Sequence, residues 1–445
     1  MGAYIAAPNF PTYAYSWLRD GSFIAYAMDR AGQHESAARF HRWVGMVLQR
    51  YAAKLDALIA RQEAGVPIDH AEQMHTRFTL DGAEASAEWT NFQLDGYGTW
   101  LWALVAHLQR TRGTALYLEL RPQAVRVARY LSLFWPSPCY DCWEEFGDKV
   151  HIATLAAIAG GLQALWAFDH SATSPAVPAA IHQFVVTHGI HEGRLVKFVG
   201  STMVDASLIG VATPYRLLAP HDPRMRATVE RIESELYCGG IHRYRADTYY
   251  GGGTWVLLAA WLGWHYAEAG NASRAALLRD WVAAQADANG NLPEQISDRL
   301  LTPHPLLAGP RRAITSHPPT PTAGPAPYSV CQALRAPWPL AASPCALVAL
   351  IVVPYSPAMI RSFALVGSLP TPAAAIGLRV AREAWLDACH ELPAWAARVT
   401  LLKRRLAPPH DQAKVLIHHA CRPAPPFGPG STRQGSDGAH LTVCA

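Results

Sequence analysis

Glu35-Ser-Ala-Ala-Arg-Phe40-His-Arg-Trp43-Val44-Gly-Met-Val47-Leu48-Gln-Arg-Tyr51-Ala-Ala-Lys-Leu55-Asp-Ala-Leu58-Ile59-Ala60 repeats its apolar residues every three or four positions. That spacing puts them on one side of a 3.6-residue turn and predicts an amphipathic helix over 35–60. A shorter helix from near Asp20 to the Gly32 stop precedes it. Gln93–Arg112 is apolar on most sides, so it is predicted to be buried on more than one face and broken by Gly113. Leu116–Phe134 follows and stops at Trp135-Pro136; His151–Phe168 is rich in Ala and Leu. Pro178–His188, Asp205–Leu218, Arg224–Leu236, Gly253–Ala269 and Ala272–Ala288 read as further helices, about ten in all, paired by short connections. Strand signals are few, with Gly193–Val199 a short hairpin arm. An all-α class follows, which excludes a doubly wound sheet and leaves a helical solenoid or a toroid of paired helices. No repeat at fixed spacing is evident, which weighs against the solenoid.

Composition divides the 445 residues at Leu301. Residues 1–301 hold 25 Lys and Arg against 29 Asp and Glu; residues 302–445 hold 13 against 5. The net charge of +4 is therefore the sum of a mildly acidic and a basic segment. Prolines divide 12 and 22, and Thr302–Pro344 is too dense in proline for a helix to propagate. One helix over Ala373–Leu392, stopped by Pro393, is expected in an otherwise irregular tail. The acidic segment argues against nucleic-acid binding. The longest strongly apolar run, Cys345–Val353, is nine residues; a membrane span needs about 20. The N-terminal stretch lacks the basic and apolar regions of a signal peptide, and Ala6 breaks a myristoylation signal. Eight cysteines, five of them in the tail, make no disulfide framework, so a cytoplasmic setting is expected.

Five clusters punctuate the helices: Tyr13-Ala-Tyr15-Ser-Trp17-Leu-Arg19-Asp20, Glu88-Trp89-Thr-Asn-Phe92-Gln93-Leu-Asp95, Asp141-Cys142-Trp143-Glu144-Glu145, Arg243-Tyr244-Arg245-Ala-Asp247-Thr-Tyr249-Tyr250-Gly-Gly-Gly253-Thr-Trp255 and Leu292-Pro293-Glu294-Gln295. Each has a plain alternative. Arg19 and Asp20 also suit a salt-bridged cap, Asp95 a helix cap, Glu144-Glu145 an exposed acidic turn and Glu294 a simple turn. The triple glycine is no phosphate loop, since no strand precedes it and no Gly-Lys-Ser/Thr follows. Cys139 and Cys142 read as C-x-x-C, but no second pair completes a metal site and no βαβ pattern surrounds them. No pattern calls for a metal or an organic cofactor. Together the clusters fit sugar hydrolysis. One carboxylic acid protonates the leaving oxygen and another activates water, while aromatic faces stack on pyranose rings and Arg and Asp bind hydroxyls.

In this order, Trp17-Leu-Arg-Asp20, Asp141-Cys-Trp-Glu-Glu145, Arg243-Tyr-x-x-Asp247-Thr-Tyr-Tyr250 and Pro293-Glu-Gln295 resemble glycoside hydrolase family 15, over about residues 2–301. The family includes glucoamylases, glucodextranases and some bacterial trehalases. The resemblance implies an (α/α)6 toroid with the site in its central funnel, and an exo-acting, inverting enzyme that releases β-glucose from the non-reducing ends of α-glucans or α-glucosides. It implies Glu144 as general acid and Glu294 as general base, with carboxyl groups roughly 6.5–9.5 Å apart. It places Tyr13, Trp17, Arg19 and Asp20 at the terminal glucose, Trp89 beside the acid, Glu145 and Arg243 at the second sugar and Trp255 in the wall. Trehalose or α-1,6-linked glucose are alternative substrates of the same chemistry; an inactive carbohydrate-binding fragment is the alternative outside it. The oligomeric state is open.

The family continues after its Glu-Gln loop with helices that close the ring. Here the Pro-rich basic segment 302–445 follows instead, so a catalytic domain over 1–301 is expected to be incomplete at its C-terminal helices. A base loop with no helix to brace it makes weak or absent activity the expectation, since errors near 1 Å cost about 10²-fold. The joint jump in Pro, charge and Cys is what a shifted reading frame or a fused foreign segment would produce. Sequencing independent clones across the Leu301–Pro305 codons is expected to show a break in frame; one continuous frame in all of them removes the frameshift.

Overall fold

Helix after helix is what the 3.6-residue periodicity demands, and the computed structural model of this chain has that character. It describes residues 2–6, 13–286 and 292–296. Ten α-helices lie among the described residues: α1 (Leu18–Arg30), α2 (His34–Arg50), α3 (Ala52–Glu63), α4 (Asp95–Thr111), α5 (Thr114–Phe134), α6 (Ile152–Phe168), α7 (Ala176–His188), α8 (Pro223–Leu236), α9 (Val256–Glu268) and α10 (Ala272–Ala284). The expected tail over 302–445, its helix over Ala373–Leu392 and the expected gap in the ring all lie outside the described residues.

The helices form successive inner and outer pairs. α4 packs on both α1 and α6; a 3-10 segment, Ala206–Val211, packs on α6 and on α9. Each of these inner elements has its own outer partner: α2 for α1, α5 for α4, α7 for α6, α8 for the 3-10 segment and α10 for α9. This is the alternation of the (α/α)6 toroid. Burial follows the same division. α4 and α6 are buried around most of their circumference, as helices with neighbours on several sides must be, whereas α8 buries one stripe, Met225, Thr228, Val229, Ile232 and Leu236.

Two predicted helices differ from those observed. The helix over 35–60 bends at Tyr51 (φ −99°, ψ 18°), which separates α2 from α3. The ladder continues through the bend, from Tyr51 N–H to Val47 and from Leu55 N–H to Tyr51. The Tyr51 hydroxyl accepts the Glu84 amide at 2.7 Å, which ties the bend to a neighbouring loop. Asp205–Leu218 is not a regular helix. Asp205 caps the 3-10 segment by accepting the Ser207 amide, and Pro214, with no N–H, stops the ladder from continuing. The hairpin arm is real but short: β3 (Ile190–His191) pairs with β4 (Arg194–Leu195) across Glu192 and Gly193, both at positive φ as a type I′ turn requires.

The other two ribbons set the entry to the inner ring. β1 (Ser16–Trp17) pairs antiparallel with β2 (Arg77–Phe78) and runs straight into α1; β5 (Thr254–Trp255) pairs with β6 (Gln295–Ile296) and runs into α9. α6 and the 3-10 segment are entered in the same way, from His151 bridged to Phe198 and from Asp205 bridged to Tyr244. Four of the five inner elements thus start immediately after a residue held in an antiparallel bridge. Among the described residues no helix is long and apolar enough to cross a membrane.

The inner ring is tight where α4 crosses α6. A Cβ on Gly161 would stand 2.2 Å from the Gly98 carbonyl oxygen, and one on Gly98 would stand 2.4 Å from that of Ala157. Backbone cannot yield as a side-chain tip can. Gly161→Ala is therefore expected to cost about 1–3 kcal/mol, read as a lower urea midpoint at unchanged slope.

Candidate active site

Arg19 and Asp20 sit in the first turn of α1, and Asp95 opens α4. Asp95 does not cap its own helix. Its carboxylate accepts from the Arg19 guanidinium at 3.1 Å, and Gln93 accepts from the same nitrogen at 3.0 Å. Arg19 Nε stands 3.6 Å from Asp20. Burial alone would lower the Arg19 pKa; the charges of Asp95 and Asp20 reverse that and raise it. Asp20 is pushed up by burial, with Arg19 opposing and Glu144 adding to the rise. Asp20 Oδ2 and Asp95 Oδ1 are buried and have no hydrogen-bond partner among the described residues. Asp20 and Asp95 line a cavity together with Arg19 and Trp143.

Glu144 lies on a tight turn with φ 68°. One carboxylate oxygen accepts the Trp17 indole N–H at 2.8 Å and the Gln93 amide at 3.1 Å; the other accepts the Trp89 indole at 2.9 Å. Trp17 is 3% exposed, so it orients Glu144 and offers little open face of its own. Tyr13 packs against Trp17 and Trp89, at centroid distances of 5.8 and 6.1 Å, and its hydroxyl meets that of Tyr249 at 2.9 Å. Glu145 turns the other way, accepting from Arg243 at 3.2 Å and from the Tyr244 hydroxyl at 2.7 Å. Arg243 is fixed by Asp247 at 2.5 and 2.8 Å. Burial lowers its pKa, but the Asp247 bonds and the Asp247 and Glu145 charges outweigh burial and raise it. Trp255 stands behind this pair, packed on Trp143, Tyr249 and the Arg243 guanidinium.

Glu294 is brought here by the β5–β6 ribbon. Its carbonyl accepts the Val256 amide, and the adjacent Gln295 side chain donates to the Tyr249 carbonyl at 3.0 Å. Burial, helped by the negative charge of Asp20 and opposed by Arg243, pushes the Glu294 carboxyl up to about 7. Asp20 thus lies within electrostatic reach of both Glu144 and Glu294.

All ten residues singled out from the sequence therefore belong to one connected set of loops at the inner-helix entries. Others were passed over. Gln93 and Asp95 are visible in the sequence as polar groups, but their bonds to Arg19 are long-range. Tyr244 and Asp247 lie inside a quoted motif, yet nothing local marks them as the partners of Glu145 and Arg243. Arg77 gave no signal. It is 1% exposed, with its guanidinium over the rings of Tyr15, Trp17 and Trp89, directly behind the indoles that hold Glu144. The Cys139 thiol is pushed up to about 12 by burial and that of Cys142 is raised too, which makes them poor nucleophiles and poor ligands. Among the described residues no three His, Cys, Asp or Glu side chains cluster as a metal site.

The sequence profile of the glycosyl hydrolases family 15 matches residues 1–389, continuing past Leu301. An isomaltose glucohydrolase from Kribbella flavida is 44% identical over 311 residues, 68% of this chain and 80% of that protein. A solved wild-type glycosidase superimposes with a TM-score of 0.64 at 43% identity, covering 67% of this chain and 82% of that one. A bacterial glucoamylase solved with acarbose has a TM-score of 0.50 at 18% identity, over 67% of this chain and 49% of that one, a likeness of fold.

The Asp20 charge is part of what holds the Glu294 proton. Asp20→Asn removes that repulsion, so the Glu294 pKa is expected to fall below about 7. Carboxyl carbon NMR titration, with Glu294→Gln to identify the signal, measures it.

Proposed function

We propose, for a chain that belongs to glycosyl hydrolase family 15, the release of glucose from the non-reducing end of a short α-glucoside by an inverting acid–base mechanism. One observation carries the reading: two carboxyl groups on separate loops, Glu144 and Glu294, both lie within electrostatic reach of Asp20. Glu144 acts as general acid, giving its proton to the glycosidic oxygen as the bond breaks. Glu294 acts as general base, taking a proton from the water that attacks the opposite face of the sugar. Arg19, Asp20 and Asp95 bind hydroxyls of the terminal glucose, where the unpartnered oxygens of Asp20 and Asp95 gain donors. Trp17, Trp89 and Gln93 hold the acid in line. Glu145 and Arg243 meet the second sugar, with Tyr13 and Trp255 shaping the wall around them.

The relative at 44% identity is an isomaltose glucohydrolase, which supports an α-1,6 bond ahead of the α-1,4 ends of starch or of trehalose. Every residue given a role lies before Leu301, so we assign the catalytic domain to 1–301, although the family match runs on to residue 389. Cys139 and Cys142 are unbridged, which is compatible with the reducing cytoplasm we propose as the setting.

A base works only when ionised. With Glu294 near 7 in the free protein, kcat/KM is expected to rise with pH through about 7 as the base ionises, and to fall at higher pH as Glu144 loses the proton it must donate. Isomaltose, maltose, maltoheptaose and trehalose, each assayed for glucose, decide the linkage; isomaltose is expected to be cleaved fastest and Glu144→Gln to lose at least about 10²-fold. Proton NMR of the first product is expected to show β-glucose. Fast cleavage of trehalose alone overturns the linkage, α-glucose overturns inversion, and a folded protein inert on all four substrates leaves the carbohydrate-binding reading.

A further inference from the structure

Glu144 and Phe146 both hold left-handed backbone, at φ 68° and 50°, within three residues of each other. Residues with side chains keep such angles only where the surroundings enforce them. Asp141 is the local enforcer. Its Oδ1 accepts the amides of Trp143 at 2.9 Å and Glu145 at 3.0 Å, while its carbonyl accepts the Glu144 amide at 2.9 Å. The other carboxylate oxygen, Oδ2, is bound by the Lys197 ammonium at 2.8 Å.

Lys197 does more than neutralise Asp141. Its ammonium also meets Asp205 at 2.5 Å, and the two oxygens of Asp205 both accept the Trp143 indole N–H at 3.1 Å. It stands 4.3 Å from the centre of the Tyr244 ring, whose hydroxyl donates to Glu145. The backbone fixes its place: Lys197 donates to the Met203 carbonyl and accepts the Ile152 amide, beside the entry to α6. Lys197 is 2% exposed. Three groups that hold Trp143, Glu144 and Glu145 therefore converge on one buried cation.

We infer that Lys197 is the positioning residue of the proton donor: it fixes the turn that aims Glu144 at the glycosidic oxygen, without touching substrate. This rests on Glu144 being the general acid proposed above. Burial works against the Lys197 charge, but Asp205 and Asp141 outweigh it, so the ammonium stays charged. The same contacts would exist in an ion pair that only stabilises the fold, so the test must separate aim from stability.

A sugar leaving group needs a proton to depart; fluoride departs with far less help. Full-length Lys197→Met, Lys197→Arg and Glu144→Gln are assayed on isomaltose and on α-glucosyl fluoride, with near-ultraviolet circular dichroism to check folding. Lys197→Met is expected to lose roughly 10²-fold in kcat on isomaltose, with KM moving much less, and under about tenfold on the fluoride. Glu144→Gln is expected to show the same split, and Lys197→Arg to recover most of the loss. Equal losses on both substrates for Lys197→Met, beside a split in Glu144→Gln, overturn the role of Lys197 and leave the acid standing. No split in Glu144→Gln overturns the acid and this inference with it. If Lys197→Met does not fold, Asp141→Asn keeps the acceptor for the two turn amides while removing the charge facing Lys197; the same split, smaller, supports the inference, and its absence overturns it.

Discussion

Arg19 joins the first turns of two inner helices. Its ion pair with Asp95 links α1 to α4, and Asp20, next along the same turn, faces both Glu144 and Glu294. A guanidinium this deep must be paired, because an isolated buried charge is too costly to keep. The pairing sets the spacing of the helix ends, and the helix ends set where the loops go. Four inner elements begin right after a bridged residue, Trp17, His151, Asp205 or Trp255, so the loops leave the bridges already pointed at the same space. The fold supplies a rim, and the paired charges decide which side chains occupy it.

The charges of the rim are arranged in two circuits. One is Arg19 with Gln93, Asp95 and Asp20, and the other is Arg243 with Asp247 and Glu145. Each arginine is held by carboxylates that the protein provides, and the first circuit leaves Asp20 Oδ2 and Asp95 Oδ1 without a hydrogen-bond partner among the described residues. A sugar offers many weak donors, and buried acceptors without partners are where those donors gain most. The carboxyl of Glu294 is raised chiefly by burial, with the charge of Asp20 adding to the rise and Arg243 opposing it.

The helices were legible because a buried stripe needs apolar residues at fixed spacing, and that spacing survives in any ring built this way. The clusters were legible because Trp, Arg, Asp and Glu are rarely gathered in loops without a reason. Asp205–Leu218 misled, since its apolar residues reflect burial on all sides and carry no information on whether the ladder is 3-10 or α. Asp95 read as a cap because the strongest local role for an aspartate at a helix start is a cap; its partner, Arg19, is 76 residues away. Lys197 and Arg77 failed for the same reason. Nothing in Leu195-Val-Lys197-Phe or His75-Thr-Arg77-Phe announces a buried cation, since what makes each one distinctive comes from other loops.

The two carboxyl groups of the candidate pair are secured by opposite means. Glu144 is held by its side chain, through three N–H donors, on a turn whose own backbone is unfavourable. Glu294 is held by its backbone, through the ribbon that pairs Gln295 with Trp255 and through the Gln295 amide on Tyr249. A proton donor must stay aimed at one oxygen while bonds rearrange, and several short bonds to the carboxyl group do that. A base that takes a proton from a mobile water gains nothing from donors that would compete for its lone pairs. Among the described residues no N–H donor meets the Glu294 carboxyl, and burial raises its pKa. Glu144 is thus anchored through its carboxyl group and Glu294 through its backbone.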